Sequence, residues 1–269
     1  MNEFTNKELP AKALIAMIAL RALPGAPLYD GDDQRIIDAA LSDLDHYKRA
    51  GVDAVLLEND FDLPYAKGPM SPEAVKVAKE VCDAVRAEWS GPMGLQFLEA
   101  ANEDALVVAN DCGLDFIRVE GFVYAHVGGA GFIDACAGSL LRKRAELGCT
   151  HIRVFPDINK KHCAHAMTAD LDIALEARQA ELFMADGLVV TGKFTGESAD
   201  TSDLEMVRKA TTLPILIGSG MTPENVDQMV PMADAFIVGS TFRNDGQYLE
   251  KLNPGRLQRF VDAFNAARS

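Results

Sequence analysis

Eight short apolar runs rich in β-branched residues, each followed by a stretch of helical periodicity, set the strongest limit on how this chain can fold. The runs cover 13–20, 52–58, 92–98, 114–120, 150–156, 187–191, 214–218 and 235–239. Most are apolar throughout, the pattern of parallel strands covered on both faces rather than of strands with one wet side. Between them the spacing predicts helices. The helix over 33–50 aligns Ile36, Ile37, Ala40, Leu41, Leu44 and Tyr47 on one face. Ser71-Pro72-Glu73 opens the next, with Ser71 as N-cap and Pro72 at the first helical position. Further helices are expected at 102–111, 134–147, 168–184, 201–210, 222–230 and 254–267.

Strand then helix, eight times over, is the arithmetic of a (β/α)8 TIM barrel; a doubly wound open sheet is the alternative. No Pro/Gly/Ser-rich tract or charge block interrupts the 269 residues, which argues for one domain. Residues 1–12 read as an N-terminal extension, 13–246 as the barrel core and 247–269 as a C-terminal helix that closes it.

Charge and cysteine usage narrow the function classes. Forty acidic against 26 basic residues give a formal charge of −14, which repels a phosphate backbone and argues against nucleic acid as partner. The longest apolar run, 13–20, is far short of the ~20 residues that span a bilayer, so no transmembrane segment is expected. Glu3 and Glu8 occupy the would-be basic region of a signal peptide and Arg21 follows the run directly, so export is not expected either. Cys82, Cys112, Cys136, Cys149 and Cys163 are odd in number and contain no C-x-x-C. They read as reduced thiols, and the expected compartment is the cytoplasm.

A barrel places its chemistry at the C-terminal ends of the strands. The seventh run leads into Gly218-Ser219-Gly220 and the eighth ends Gly239-Ser240-Thr241, paired glycine turns where many barrels hold a substrate phosphate. The bland alternative is two tight turns. Polar groups crowd the other exits. Glu58-Asn59-Asp60 ends the second run, Arg118 and Glu120 lie on the fourth, and Asp157 follows the fifth, just ahead of Lys160-Lys161-His162. Glu58 or Asp157 is a candidate to move a proton, with Arg118 and Lys161 neutralising charge and His162 contributing hydrogen bonds or acid–base chemistry. Carboxylate rings at loop starts are also ordinary barrel surface.

Thr191 and Lys193 after the sixth run are candidate substrate contacts. Lys193 as a Schiff-base amine is disfavoured, because it falls one residue too late to be well buried. His162 and His165 suggest a metal pair, but no third ligand lies nearby in sequence. No cofactor is therefore expected, and a divalent metal is the weaker alternative. His46 reads as structural, and His126 and His151 have no convergent partner in sequence. Gly128-Gly129-Ala130-Gly131 reads as a lid hinge, and the loop 192–196 as a second mobile segment.

Several separate motifs resemble the BtpA family, SgcQ-type proteins included. They are Leu23-Pro24-Gly25-Ala26-Pro27, Glu58-Asn59 with Asp62-Leu63-Pro64-Tyr65, and Phe116-Ile117-Arg118-Val119. Asp157 with Lys161-His162, Val190-Thr191-Gly192 with Thr195-Gly196, and Gly218-Ser219-Gly220 with Thr222 complete the set. Met17-Ile18-Ala19-Leu20 and Gln96-Phe97-Leu98-Glu99 depart from the common pattern. The stretch 120–127 and Lys160-Lys161-His162 look closer to the branch that includes animal members. The resemblance implies a ribulose-phosphate-binding type of barrel. The family's named role, biogenesis of photosystem I by a membrane-associated cyanobacterial protein, carries over less readily.

Two function classes follow. One is an enzyme, a lyase, isomerase or hydrolase, acting on a phosphorylated small molecule such as a sugar phosphate or nucleotide-like compound. The other is a non-catalytic assembly factor, with a metal-dependent hydrolase as a third reading. A homo-oligomer is the default association. An acidic chain that gathers Arg118, Lys160, Lys161, His162 and Lys193 at one end is expected to present a cationic mouth to a small anion.

Overall fold

The computed structural model describes residues 7–192 and 198–269. Eight parallel strands close into a barrel, interrupted in sequence by one two-stranded hairpin. The barrel strands are β1 (Ala13–Ala19), β2 (Ala54–Glu58), β3 (Met93–Gln96), β4 (Phe116–Val119), β7 (Arg153–Ile158), β8 (Leu188–Val190), β9 (Ile215–Ile217) and β10 (Ala235–Val238). β5 (His126–Gly128) and β6 (Gly131–Ile133) form the antiparallel hairpin. Each apolar run thus holds one barrel strand, β7 continuing two residues past the end of its run, and β1 pairs with both β2 and β10 to complete the circle. The open-sheet alternative is excluded by that closure.

The helices form the outer ring: α1 (Asp33–Ala50), α2 (Pro72–Glu88), α3 (Asn102–Asp111), α4 (Ala137–Glu146), α5 (Ile173–Leu182), α6 (Thr201–Ala210), α7 (Val226–Met229) and α8 (Pro254–Arg268). Ser71 caps α2, its Oγ accepting from Ala74 N at 3.1 Å, with Pro72 at the first helical position as the sequence predicts. Their buried faces meet the outward-facing strand residues in the larger core, where Phe260 and Phe264 of α8 pack near Phe242 and Phe236. Three helices are shorter than their periodicity predicts; of 134–147, α4 spans only Ala137–Glu146. Of 222–230 only α7 and a following 3-10 turn are helical, because Asn225 Oδ1 accepts from Thr222 N at 2.8 Å and folds the start into a turn. Of 168–184, α5 begins at Ile173, where Asp172 caps it.

Strand parity positions the site. The barrel interior is filled by Ala13, Ile15, Ala54, Leu56, Phe116, Phe155, Val189, Leu216, Ala235 and Ile237, alternate residues of their strands. Gly94 joins them because a Cβ there would lie 2.1 Å from the Phe116 ring. Two residues further along the same parity come Met17, Glu58, Gln96, Arg118, Asp157, Thr191, Gly218 and Gly239. The inward layer therefore switches from apolar to polar at the C-terminal end. At the opposite end Leu9 packs under the interior, and Lys7 N donates to Asp115 Oδ1 at 2.8 Å.

Candidate active site at the barrel mouth

That switch opens a cavity of about 380 Å³. Glu58, Arg118, Asp157, Lys161 and His162 line it together with Gly218, Ser219, Gly220, Gly239 and Ser240, so one space joins ten of the sequence candidates. Thr191 does not line it; it is buried, with its methyl 2.8 Å from where a Gly218 Cβ would be. Lys193 lies outside the described residues, as does most of the loop 192–196.

At the centre is a buried ion cluster. Arg118 donates from Nε and Nη2 to the two oxygens of Asp157, each at 2.9 Å, and from Nη1 to Glu58 Oε1 at 2.9 Å. Burial alone would lower the guanidinium's affinity for its proton, but Asp157 and Glu58 more than reverse this. A planar fork that matches carboxylate geometry is what this site requires of its cation. Three of the five N–H donors of Arg118 are thus taken by carboxylates.

A second cluster adjoins it. Lys160 Nζ lies 3.0 Å from Glu120 Oε1 and 3.9 Å from Glu99 Oε1. Burial would lower the lysine pKa, but Glu120 raises it, while burial raises that of Glu120. Glu120 Oε2 accepts from Ala100 N at 2.9 Å, and Gln96 Nε2 donates to Oε1 at 3.3 Å. Five carboxylate side chains (Glu58, Asp60, Glu99, Glu120, Asp157) and three cations (Arg118, Lys160, Lys161) line the cavity. The cationic mouth expected from sequence is therefore neutralised by its own carboxylates. Asp60 is the odd member. Its Oδ2 has no hydrogen-bond partner among the described residues, and burial, then Glu58, raises its pKa well above the ordinary range.

The glycine turns form another wall, which meets the ion cluster where Arg118 Nη2 lies 3.2 Å from where a Gly218 Cβ would be. Asn225 Nδ2 and Ser198 Oγ donate to Gly220 O at 2.8 and 2.9 Å, and Thr241 Oγ1 to Met221 O at 2.6 Å. These bonds hold two carbonyls of the turn on neighbouring elements. The Ser219 hydroxyl is buried with no partner among the described residues. Gly218 and Gly239 are close-packed: a Cβ would lie 2.5 Å from Val189 Cγ1 and 2.5 Å from Met17 Cε, respectively. Gly220 has φ +76, a conformation that favours glycine.

Other motif residues build the frame. Asn59 bridges loops, accepting from Leu98 N at 2.7 Å and donating to Asp62 Oδ2 at 2.9 Å, and Asp62 in turn accepts from Leu23 N. The glycine-rich stretch expected to hinge is the tip of the β5–β6 hairpin, tied down by Ala130 N donating to Glu99 Oε2 at 2.9 Å. His162 is exposed, on a backbone with φ +60, and not on a helix. His165 Nε2 contacts Lys160 O at 2.8 Å, and its ring lies 5.7 Å from that of His126. His165 is thus the ring neighbour that sequence could not find for His126, whose buried Nε2 makes no hydrogen bond among the described residues. Burial, then Lys160, lowers the His126 pKa to about 4. No group of three or more His, Cys, Asp or Glu among the described residues is placed to hold a metal ion.

Beside this histidine pair, a smaller cavity of about 110 Å³ is lined by Glu176. Burial raises the Glu176 pKa to about 7, against the acceptance of Asn159 N at 2.9 Å. A carboxyl that binds its proton more tightly folded than unfolded stabilises the fold at low pH and loses that contribution as pH rises through the folded value. Between about pH 4.5 and 7, wild-type stability is expected to fall relative to Glu176→Gln, measured as paired melting curves across that window. Parallel curves would contradict it.

Glu99, Gln96, Tyr65 and Tyr248 also line the cavity; the first three stand in stretches compared with the family pattern, but none reads as a site residue in sequence. Gln96 ends β3 in the inward parity, a signal available once parity is applied to every strand; the two tyrosines lie on loops and carry no periodic signal.

A family model described as the BtpA family matches residues 10–266. A Caenorhabditis elegans protein, named as uncharacterised and mitochondrial, is 40% identical over 260 residues, covering 95% of this chain and 94% of its own. The photosystem I biogenesis protein BtpA of Synechocystis is 29% identical over 251 residues, covering 93% and 87%. Among solved structures, thiamine phosphate pyrophosphorylase from Pyrococcus furiosus superposes with TM-score 0.60 at 11% identity, over 96% of this chain and 98% of that one. N-acetylmannosamine-6-phosphate 2-epimerase from Clostridium perfringens gives 0.55 at 14%, over 93% and 92%. These likenesses concern the fold. No helix among the described residues is long and apolar enough to cross a membrane.

Proposed function

The chain belongs to the BtpA family, and we propose that it is an enzyme acting on a phosphorylated small molecule held in the barrel mouth. The observation that carries this reading is the division of one cavity into a wall of neutral glycine turns and a wall of ionised side chains. The turn wall offers the unpartnered Ser219 hydroxyl and the backbone of Ser219–Gly220 and Gly239–Ser240, the Gly218 N–H being spent on Val190 O at 2.9 Å. Backbone donors at such turns take a phosphate without a countercharge, which matters in a mouth whose cations are already matched by carboxylates.

On the ionised wall, Glu58 acts as the general base or acid. One of its oxygens is held by Arg118, and the other makes no hydrogen bond among the described residues. Asp157 has both oxygens on Arg118 and serves to position that guanidinium, and Glu58 through it. The phosphate names of the two barrel structures support the substrate class by analogy of fold alone. A second reading, a protein-assembly surface, is favoured by the exposed Leu182, Phe183 and Met184 at the end of α5.

Thermal melting with inorganic phosphate and a panel of phosphorylated metabolites separates the two. Enzyme binding predicts stabilisation by RT ln(1 + [L]/Kd), about 2.7 kcal/mol at a ligand concentration one hundred times Kd. Ser219→Ala should weaken that shift. A flat response to every phosphate compound would remove the enzyme reading and leave the surface one.

A further inference from the structure

We propose that Lys161 is the nucleophilic amine of this site, forming an iminium link to the aldehyde or ketone carbon of a phosphorylated carbonyl compound. The inference rests on the phosphate reading above and adds to it the functional group that reacts. Three cations line the cavity, and the structure commits two of them. Arg118 is bound by Asp157 and Glu58, and Lys160 by Glu120 at 3.0 Å. Lys161 makes no ion pair within 4.0 Å among the described residues, yet lines the same space as Ser219 and Gly239. A cation left without a close counter-ion in a desolvated pocket gives up its proton readily, and the resulting amine is a nucleophile. Burial, then the facing Arg118, lowers the Lys161 pKa, against the opposing pull of Glu58, Asp157 and Asp60.

The step balances within the cavity. The free Nζ lone pair attacks the carbonyl carbon, and the carbonyl π pair moves to oxygen. After proton transfer from nitrogen to oxygen gives the carbinolamine, one acid proton is needed for water to leave and a protonated iminium to remain. Asp60 is the group placed to supply it. It lines the cavity, its Oδ2 has no partner among the described residues, and burial beside Glu58 favours its protonated form. The iminium then draws electrons from the adjacent carbon, where Glu58 can remove or return a proton.

The probe is pyridoxal 5′-phosphate, a phosphorylated aldehyde. The full chain is incubated with it near neutral pH, reduced with borohydride, digested and read by mass spectrometry, with melting curves taken before reduction. The expected result is one pyridoxyl adduct per chain on Lys161, about tenfold or more above any other lysine, suppressed by excess inorganic phosphate. Lys161→Arg, or Lys161→Met should the first fail to fold, should lose that adduct while keeping its circular dichroism. Stabilisation by pyridoxal phosphate without a Lys161 adduct above the surface lysines would overturn carbonyl capture and leave the phosphate reading intact. No stabilisation by pyridoxal phosphate or by inorganic phosphate, and no adduct, would overturn both.

Discussion

Arg118→Met should lower stability by roughly 3–5 kcal/mol, because it strands two buried carboxylates on an apolar neighbour. The guanidinium fills three hydrogen bonds to Asp157 and Glu58, all at 2.9 Å, in a layer with almost no solvent. At roughly 2–4 °C per kcal/mol for a domain near this size, the melting temperature should drop by about 10 °C. Arg118→Lys should recover only part of the loss, since an ammonium cannot present the fork that Asp157 takes bidentately. Adding Asp157→Asn to Arg118→Met should be less costly than the sum of the two, as expected where one change removes the other's unpaired charge. A melting temperature within about 2 °C of wild type for Arg118→Met would show that the cluster is not the structural centre of the mouth.

Glu58→Gln should act on turnover instead. Loss of a positioned general base costs typically 10²–10⁴-fold, and the amide still fills the Glu58 position beside Arg118. Asp157→Asn should show the opposite emphasis. Its two oxygens both serve Arg118, and an amide leaves one guanidinium N–H facing another N–H donor. The pair is read by comparing kcat on a phosphorylated substrate from the screen with melting temperature. If Glu58→Gln kept kcat within about threefold while Asp157→Asn abolished it at unchanged stability, the two roles would be reversed.

Most of the barrel was legible because parallel strands buried on both faces write long apolar runs, and every run from 13–20 to 235–239 overlaps one barrel strand. Glu58, Arg118 and Asp157 were legible for a related reason: they interrupt, end or directly follow apolar runs near a strand end, where a charge needs a partner or a purpose. What one-dimensional reading missed are relations between distant segments. Lys160 looks like a free cation in sequence, but is matched by Glu120 and Glu99 across 40 and 61 positions. Gly128-Gly129-Ala130-Gly131 looks like a hinge, because hydrogen bonds from the tip to Glu99 and from Val127 to Ala164 are invisible locally. Tyr65 and Tyr248 reach the cavity from loops whose course no periodicity encodes. Asn59 and Asp62, by contrast, stand in a family-like motif yet serve to join loops rather than to face the cavity.

The turns after β9 and β10 should hold a phosphate inside the mouth. A crystal structure of the full chain soaked with phosphate, or with tungstate as its heavy analogue, locates the anion directly. Density is expected within hydrogen-bond distance of the Ser219 hydroxyl and facing Gly220, Gly239 and Ser240. An occupied anion outside the mouth, against Arg256 and Arg259 in the neighbouring cavity of about 280 Å³, with the mouth itself empty, would contradict it.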